Sequence, residues 1–429
     1  MNLPSINRRN FLLAAGAVAA GAAGCVKVPH VSIQDGDPPL AKPEVPAVPA
    51  PAMPLPDYKG PNVVLIRFGG GVRRLETVME PEHTTYCPFV YHELGKKHGL
   101  IYPKVEIHNA PGIETSHGQG TLFLLTGQYD SYKDVGDKFL GARFEAKVPT
   151  LFEYLRRTYN VPEHQALIVN GEDRLDEEFY EFSSASHLGF GLHYKSVTLS
   201  LYRFKTWLLW DELKRDKLSD KSRQETLKKF LDMEHKDYRV AKRAPESIEK
   251  DSYWASKEID GYWERWKNYY GKTGLVNPRG DRLLTELAIR AIRELRPKLM
   301  MINYNDPDYV HWGPPSFYTN AISIIDHGIR QLWDVCQMDE EYRDNTVFVI
   351  VPDCGRDNSR GAAVPFQHHF NGRSAREIFA VVAGPKKYVP RAASLVDKTQ
   401  TQIRVTTTVG KLMGFKVSHA QAAALEGHA

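Results

Sequence analysis

Four short stretches of this chain carry side chains able to do chemistry. Arg67-Phe-Gly-Gly-Gly-Val-Arg-Arg74 joins three glycines to Arg67, Arg73 and Arg74. Glycines let backbone N–H groups approach a ligand closely and guanidinium groups bind oxyanions, so the loop suits an anion. Its bland counterpart is a plain turn with solvated arginines. Glu114-Thr-Ser-His-Gly-Gln-Gly-Thr121 precedes an apolar stretch. There Thr115 or Ser116, at a helix N-terminus, is either a nucleophile activated by the local dipole or an ordinary cap. Asn303-Tyr-Asn-Asp-Pro-Asp-Tyr-Val-His-Trp-Gly313 crowds Asp306, Asp308 and His311 into one loop. Carboxylates and imidazole at that spacing can converge on a divalent cation, although acidic residues are also common in turns. Pro352-Asp-Cys-Gly-Arg-Asp357 and Phe366-Gln-His-His-Phe370 add Asp353, Arg356, His368 and His369. The two histidines are adjacent, so they point in different directions and as a rule only one ligates.

The elements that must position these loops are short apolar runs. Residues 62–67, 166–169, 298–303, 346–351 and 378–382 read as buried strands. Residues 118–127, 148–159, 283–295 and 317–335 read as helices, with Ile322, Ile325, Ile329 and Leu332 along one face of the last. Apolar strands alternating with helices predict an α/β fold: a mostly parallel sheet with helices on both faces. Functional loops then lie beyond the carboxyl ends of the strands. Residues of about 200–275 differ, being dense in Lys, Glu, Trp and Tyr, and predict a helical, aromatic-rich insertion whose rings are core rather than a ligand platform.

The order of these motifs resembles the alkaline phosphatase superfamily of phosphatases, sulfatases, nucleotide pyrophosphatases and phosphoglycerate mutases. Residues 303–313 resemble its N-x-x-x-P-D-x-x-G-H-x-G metal loop, and Asp326 the Asp that commonly follows it. Leu124-Leu-Thr-Gly-Gln-Tyr129 resembles the end of the nucleophile helix, and Val349-Ile-Val-Pro-Asp-Cys-Gly355 the strand and D-H-G loop. Ala383-Gly-Pro and residues 406–415 resemble the late strand and terminal helix.

The resemblance implies an alkaline-phosphatase-like domain over 62–429 and a hydrolase-like protein acting on a small anionic ester, phosphate or sulfate. The metal loop lacks one residue before its His. The family's metal-binding Asp after the first strand is replaced by Gly69 or Gly70, and its D-H-G histidine by Cys354. Counting back from Thr126, its nucleophile position falls on His117, with Thr115 and Ser116 just upstream. By the family pattern one metal site keeps Asp308, His311 and one of His368 or His369, while the other keeps Asp353 and loses two ligands. The expected cofactor is therefore one divalent metal, zinc first, with calcium, manganese or magnesium as alternatives. An arginine among Arg67, Arg73, Arg74 and Arg356 then stands in for the second cation. The competing reading is a non-catalytic relative that binds an anionic ligand or a partner at the cell surface.

The N-terminal residues read as an address. Arg8 and Arg9 precede a short apolar run ending at Ala22-Ala23-Gly24-Cys25, the pattern of a twin-arginine export signal (1–25) with a lipoprotein-type Cys25. Residues 26–61 are rich in Pro and Ala and predict a stiff tether. The expected location is periplasmic or at the cell surface, with membrane contact through the lipid. Lys plus Arg is 56 against 52 for Asp plus Glu, a net +4, so no nucleic-acid partner is expected. Hydrophobic residues at 42% and charged residues at 25% exclude a wholly disordered chain or a multi-span membrane protein. Four cysteines in 429 residues are too few for a disulfide scaffold.

Overall fold

The computed structural model describes residues 54–79, 85–129, 132–134, 144–146, 148–170, 194, 196–214, 219–234, 256–271, 280–311, 314–357, 367–368, 372–391 and 395–428. The signal, Cys25, most of the tether and His369 lie outside them. From Pro56 the chain already runs on the body: Asn160 N donates to Pro56 O at 2.9 Å, and the Tyr58 ring packs edge-on against Tyr159.

Ten strands are named in chain order. They are β1 (Asn62–Arg67), β2 (Gly99–Glu106), β3 (Tyr132–Asp134), β4 (Phe144–Ala146), β5 (Ala166–Asn170), β6 (Val197–Leu199), β7 (Leu299–Asn303), β8 (Thr346–Val351), β9 (Glu377–Ala383) and β10 (Gln400–Thr401). Eight form one sheet in the order β10-β2-β9-β8-β1-β7-β5-β6, and β3 pairs with β4 apart from it. β9 is antiparallel to both its neighbours, and every other pairing in the sheet is parallel. The expected mostly parallel α/β sheet is what forms. β2 is an addition: the sequence Gly-Leu-Ile-Tyr-Pro-Lys-Val-Glu holds a proline and a bulge that hide its strand pattern.

Alternate side chains of each central strand enter opposite cores. Val64, Ile66, Met300, Ile302, Phe348 and Ile350 belong to one, and Val63, Leu65, Leu299, Met301, Val347 and Val349 to the other. Such runs are apolar at every position because both faces are covered. The second core receives helices α1 (His117–Thr126), α2 (Leu151–Thr158) and α8 (Arg404–Leu412). The first receives α3 (Leu201–Lys214), α5 (Lys257–Tyr270), α6 (Asp281–Leu295) and α7 (Pro315–Met338), while α4 (Asp220–Glu234) packs beside α3. Trp207, Trp263 and Trp266, all buried, carry the aromatic-rich insertion into this core as expected. Each such side chain contributes on the order of 2–3 kcal/mol through burial. Among the described residues no helix is long and apolar enough to cross a membrane.

Candidate metal centre

Parallel pairing sets three chain segments side by side. Arg67 at the end of β1 lies in register with Asn303 of β7 and Val351 of β8, so the loops that follow share one edge. α1 enters the same edge. Its N-cap is Ser116, whose Oγ accepts from Gln119 N at 3.3 Å, and His117 is its first residue.

Asp308 is the centre of the arrangement. Its Oδ1 lies 2.9 Å from His117 Nε2, 2.9 Å from His311 Nε2 and 3.0 Å from His368 Nε2. A carboxylate oxygen offers two lone pairs, so three imidazole nitrogens exceed what hydrogen bonding accounts for. A shared cation is the other way to gather such groups: a tetrahedral shell with bonds of about 2.0–2.2 Å has edges of about 3.3–3.6 Å, somewhat longer than these separations. The ligating atoms of His117, Asp308 and His368 lie within 4.8 Å of one another, and all three residues are buried. His311, partly exposed, reaches Asp308 but lies outside that set of three. The residues therefore fit a divalent metal.

His117 also turns its Nδ1 to Asp353 Oδ2 at 2.6 Å. Asp353 is fully enclosed, and its Oδ1 accepts from Cys354 N at 2.7 Å and Gly71 N at 3.4 Å. Burial alone would depress the His117 imidazolium, but Asp353 and then Asp308 outweigh it and hold the ring protonated well above its ordinary range. Burial likewise opposes ionisation of both carboxylates. His117 overcomes it at Asp308, with help from His311 and His368, and His117 and Arg67 overcome it at Asp353, so both stay well below the usual range. The Cys354 thiol is pushed up to about 11 by burial and by Asp353.

The candidate residues thus divide. Asp308, His311, His368, His117 and Asp353 come together, whereas Asp306 turns away and accepts from Asp281 N at 3.1 Å. Asp326 is remote from the cluster: its carboxylate accepts from Phe89 N and Val90 N and caps the helical segment Phe89–Lys97, with its pKa raised to about 6 by burial. Neither hydroxyl candidate is directed at the cluster by its hydrogen bonds. Thr115 donates to His368 O, and Ser116 caps its own helix.

The four arginines also separate. Arg73 pairs with Glu76 at 2.9 Å, and Arg74 pairs with Glu377 and donates to Pro103 O at 3.0 Å, so salt bridges to nearby carboxylates draw both away from the cluster. Arg67 and Arg356 do reach it, but both are wholly buried and serve protein oxygens. Arg67 donates to Thr121 Oγ1 at 2.9 Å and lies 3.7 Å from Asp353 Oδ2. Arg356 donates to Gly71 O at 2.8 Å, to Gly70 O and to Pro307 O at 3.0 Å, with Asp308 Oδ1 3.9 Å away.

Gly69 and Gly70 are forced by this crowding. A Cβ on Gly69 would lie 2.1 Å from Tyr304 O, and one on Gly70, at φ +83°, would lie 2.5 Å from Asp308 N. One residue that holds the site was not singled out from sequence: Gln402, whose Nε2 donates to Asp353 O at 2.8 Å. A glutamine ahead of a helix carries no pattern that would reveal that role.

No family model and no curated protein matches the chain. Solved structures similar to it include a protein in the alkaline phosphatase superfamily from Vibrio parahaemolyticus, at 13% identity and TM-score 0.44, covering 86% of this chain and 70% of that one. A 2-O GAG sulfatase is similar at 11% identity and TM-score 0.45, over 86% and 73% of the two chains. The alkaline phosphatase from the Antarctic bacterium TAB5 is similar at 12% identity and TM-score 0.42, over 84% and 100%.

Proposed function

We propose that this is an exported, lipid-anchored, hydrolase-like protein acting on a phosphate or sulfate ester through one divalent metal. The observation that carries the reading is the meeting of three imidazoles on one oxygen of Asp308. A donor set of three imidazoles and a carboxylate suits zinc better than calcium or magnesium, which prefer oxygen shells. His117, Asp308 and His368 would hold the metal, with His311 on Asp308 as a further donor from the more exposed side. When bound, it supplies a Lewis acid that polarises a phosphoryl or sulfuryl oxygen.

The chain's own residues shape the rest. Asp353 takes the Nδ1–H of His117 and so fixes the tautomer that presents Nε2 to the cluster. Arg67 keeps Asp353 ionised, and Arg356 ties the loops after β1 and β7 together through their carbonyls. The twin-arginine run, Cys25 and the proline-rich tether support export and anchoring at the periplasmic or outer face of a membrane.

A second reading is supported by the placement of Thr115 and Ser116. With both hydroxyls engaged and His117 in the nucleophile position, a relative that binds an anion or partner without turnover is the alternative. Metal analysis of the purified protein, with assays on aryl phosphate and aryl sulfate, separates the two. One equivalent with turnover, both lost in Asp308→Asn while circular dichroism is unchanged, supports the hydrolase. One equivalent without turnover supports the binding protein. Full metal retention in Asp308→Asn would reduce the loop to an acidic turn.

A further inference from the structure

A pocket of about 560 Å³ lies at the same edge of the sheet, between the end of β2, β10 and the turn Arg373–Arg376. Hydrogen bonds join its own wall and tie the adjoining chain to the metal-centre loop. Gly355 N donates to Ala375 O at 2.6 Å, Ile107 N to Arg376 O at 2.9 Å, and Gln402 Nε2 to Asp353 O at 2.8 Å. Nothing in the metal reading uses it.

The lining is cationic in a specific way. Arg373, Arg376 and Arg404 share the cavity with Glu106 and Glu377. Glu377 is taken: Arg373 Nε donates to it at 2.8 Å, and Arg74 binds its other oxygen. Among the described residues, Arg376 has no side-chain partner and Arg404 has no carboxylate partner. Arg404 is oriented instead by Gln400 Oε1 at 3.2 Å and Ala424 O at 2.9 Å. Like charges gathered in one concavity repel, and an anion between them removes that repulsion. The volume lies within the usual span for small-molecule sites, about 300–1,000 Å³, and exceeds what a bare oxyanion fills. The remaining space is faced by Asn109, His108 and the Glu106 carboxylate, groups that exchange hydrogen bonds with hydroxyls.

We propose that this pocket binds a small polyhydroxylated anion, an acidic sugar, with the charged group on Arg376 and Arg404 and the hydroxyls on Asn109 and Glu106. The inference stands independently of the metal centre. Calorimetric titration of the full chain at fixed ionic strength tests it, with D-glucuronate, glucose 6-phosphate, inorganic sulfate and neutral glucose as probes. One or both sugar acids should bind saturably, with glucose and inorganic sulfate at least about tenfold weaker. Arg376→Gln should weaken the sugar acid by about tenfold or more, the cost of one charge-assisted contact, with an unchanged melting temperature. Asp308→Asn, which addresses the metal centre, should retain this binding. Absence of saturable binding, equal affinity for glucose, equal affinity for bare sulfate, or an unaltered Arg376→Gln variant would each overturn the proposal.

Discussion

Replacing Asp353 by Asn separates the two ways of building this site. In the one-metal reading Asp353 touches no metal and acts through His117. Asn keeps the size of the side chain, and its Oδ1 can still accept from Cys354 N, now at 2.7 Å, and Gly71 N. That leaves the amide NH2 facing His117 Nδ1, a donor where an acceptor stood. Flipping the amide does not help, because NH2 would then meet two backbone N–H groups. His117 must accept at Nδ1, which puts its remaining proton on Nε2, the nitrogen the metal needs. Losing such a supporting carboxylate typically costs 10–100-fold in metal affinity, about 1.4–2.7 kcal/mol. The buried Arg67 loses its anion as well. Breaking a buried pair costs roughly 3–5 kcal/mol, and the 3.7 Å separation here argues for the low end. The measurement is a competitive zinc titration with total metal analysis, at a temperature where circular dichroism shows the variant folded. The expected result is one equivalent at saturation in both proteins, with a 10–100-fold weaker constant in Asp353→Asn. If the wild type holds two equivalents and the variant one, Asp353 is itself a ligand, with His117 and Cys354 as its neighbours, and the one-metal argument fails.

The other expectations can be checked separately. Cys354→Ala should leave metal stoichiometry unchanged, because the one-metal set gathered on Asp308 does not include Cys354; a lost equivalent would make it a thiolate ligand. Cys25→Ser should move the protein from the membrane to the soluble fraction, and unchanged association would place the anchor elsewhere. Metal affinity should rise with pH above about 6.5. His117 is held protonated above its ordinary value, while Asp308 and Asp353 are already ionised, so binding displaces one proton and log K should climb about one unit per pH unit. A flat profile from pH 6 to 8 would mean that His117 is not a ligand.

The fold was legible because the central strands are buried on both faces. Runs such as Thr346-Val-Phe-Val-Ile-Val351 leave no polar position to confuse the period, and the loops that follow them hold the chemistry. Legibility ended where a role depends on direction rather than residue type. Arg67 and Arg73 look alike in the sequence, yet one points into the sheet edge and the other closes on Glu76 three residues away. Asp306 and Asp308 are also alike, yet one faces Asp281 and the other the three imidazoles. His117 was counted at the nucleophile position. That it bridges two carboxylates follows only from the packing of α1 against the ends of β7 and β8.

The glycines after β1 bear on the proposed absence of a second metal. An Asp at Gly69 would drive its Cβ into Tyr304 O, and one at Gly70 would need an unfavourable backbone and a contact with Asp308 N. Those neighbours are main chain, held by Arg356 through Pro307 O and by Arg67 beside Tyr304 O. The two guanidinium groups draw the loops after β1 and β7 together through their carbonyls. Replacing Cys354 by His would add an imidazole at a wholly buried position without adding room, so in the one-metal reading that change alone should create no second site. The same closure restricts function. With Arg67 and Arg356 sealed from solvent, neither can grip an incoming oxyanion. In the proposed reading, positive charge available to an ester comes from a metal at the Asp308 centre on its His311 side, or from the arginines of the neighbouring pocket.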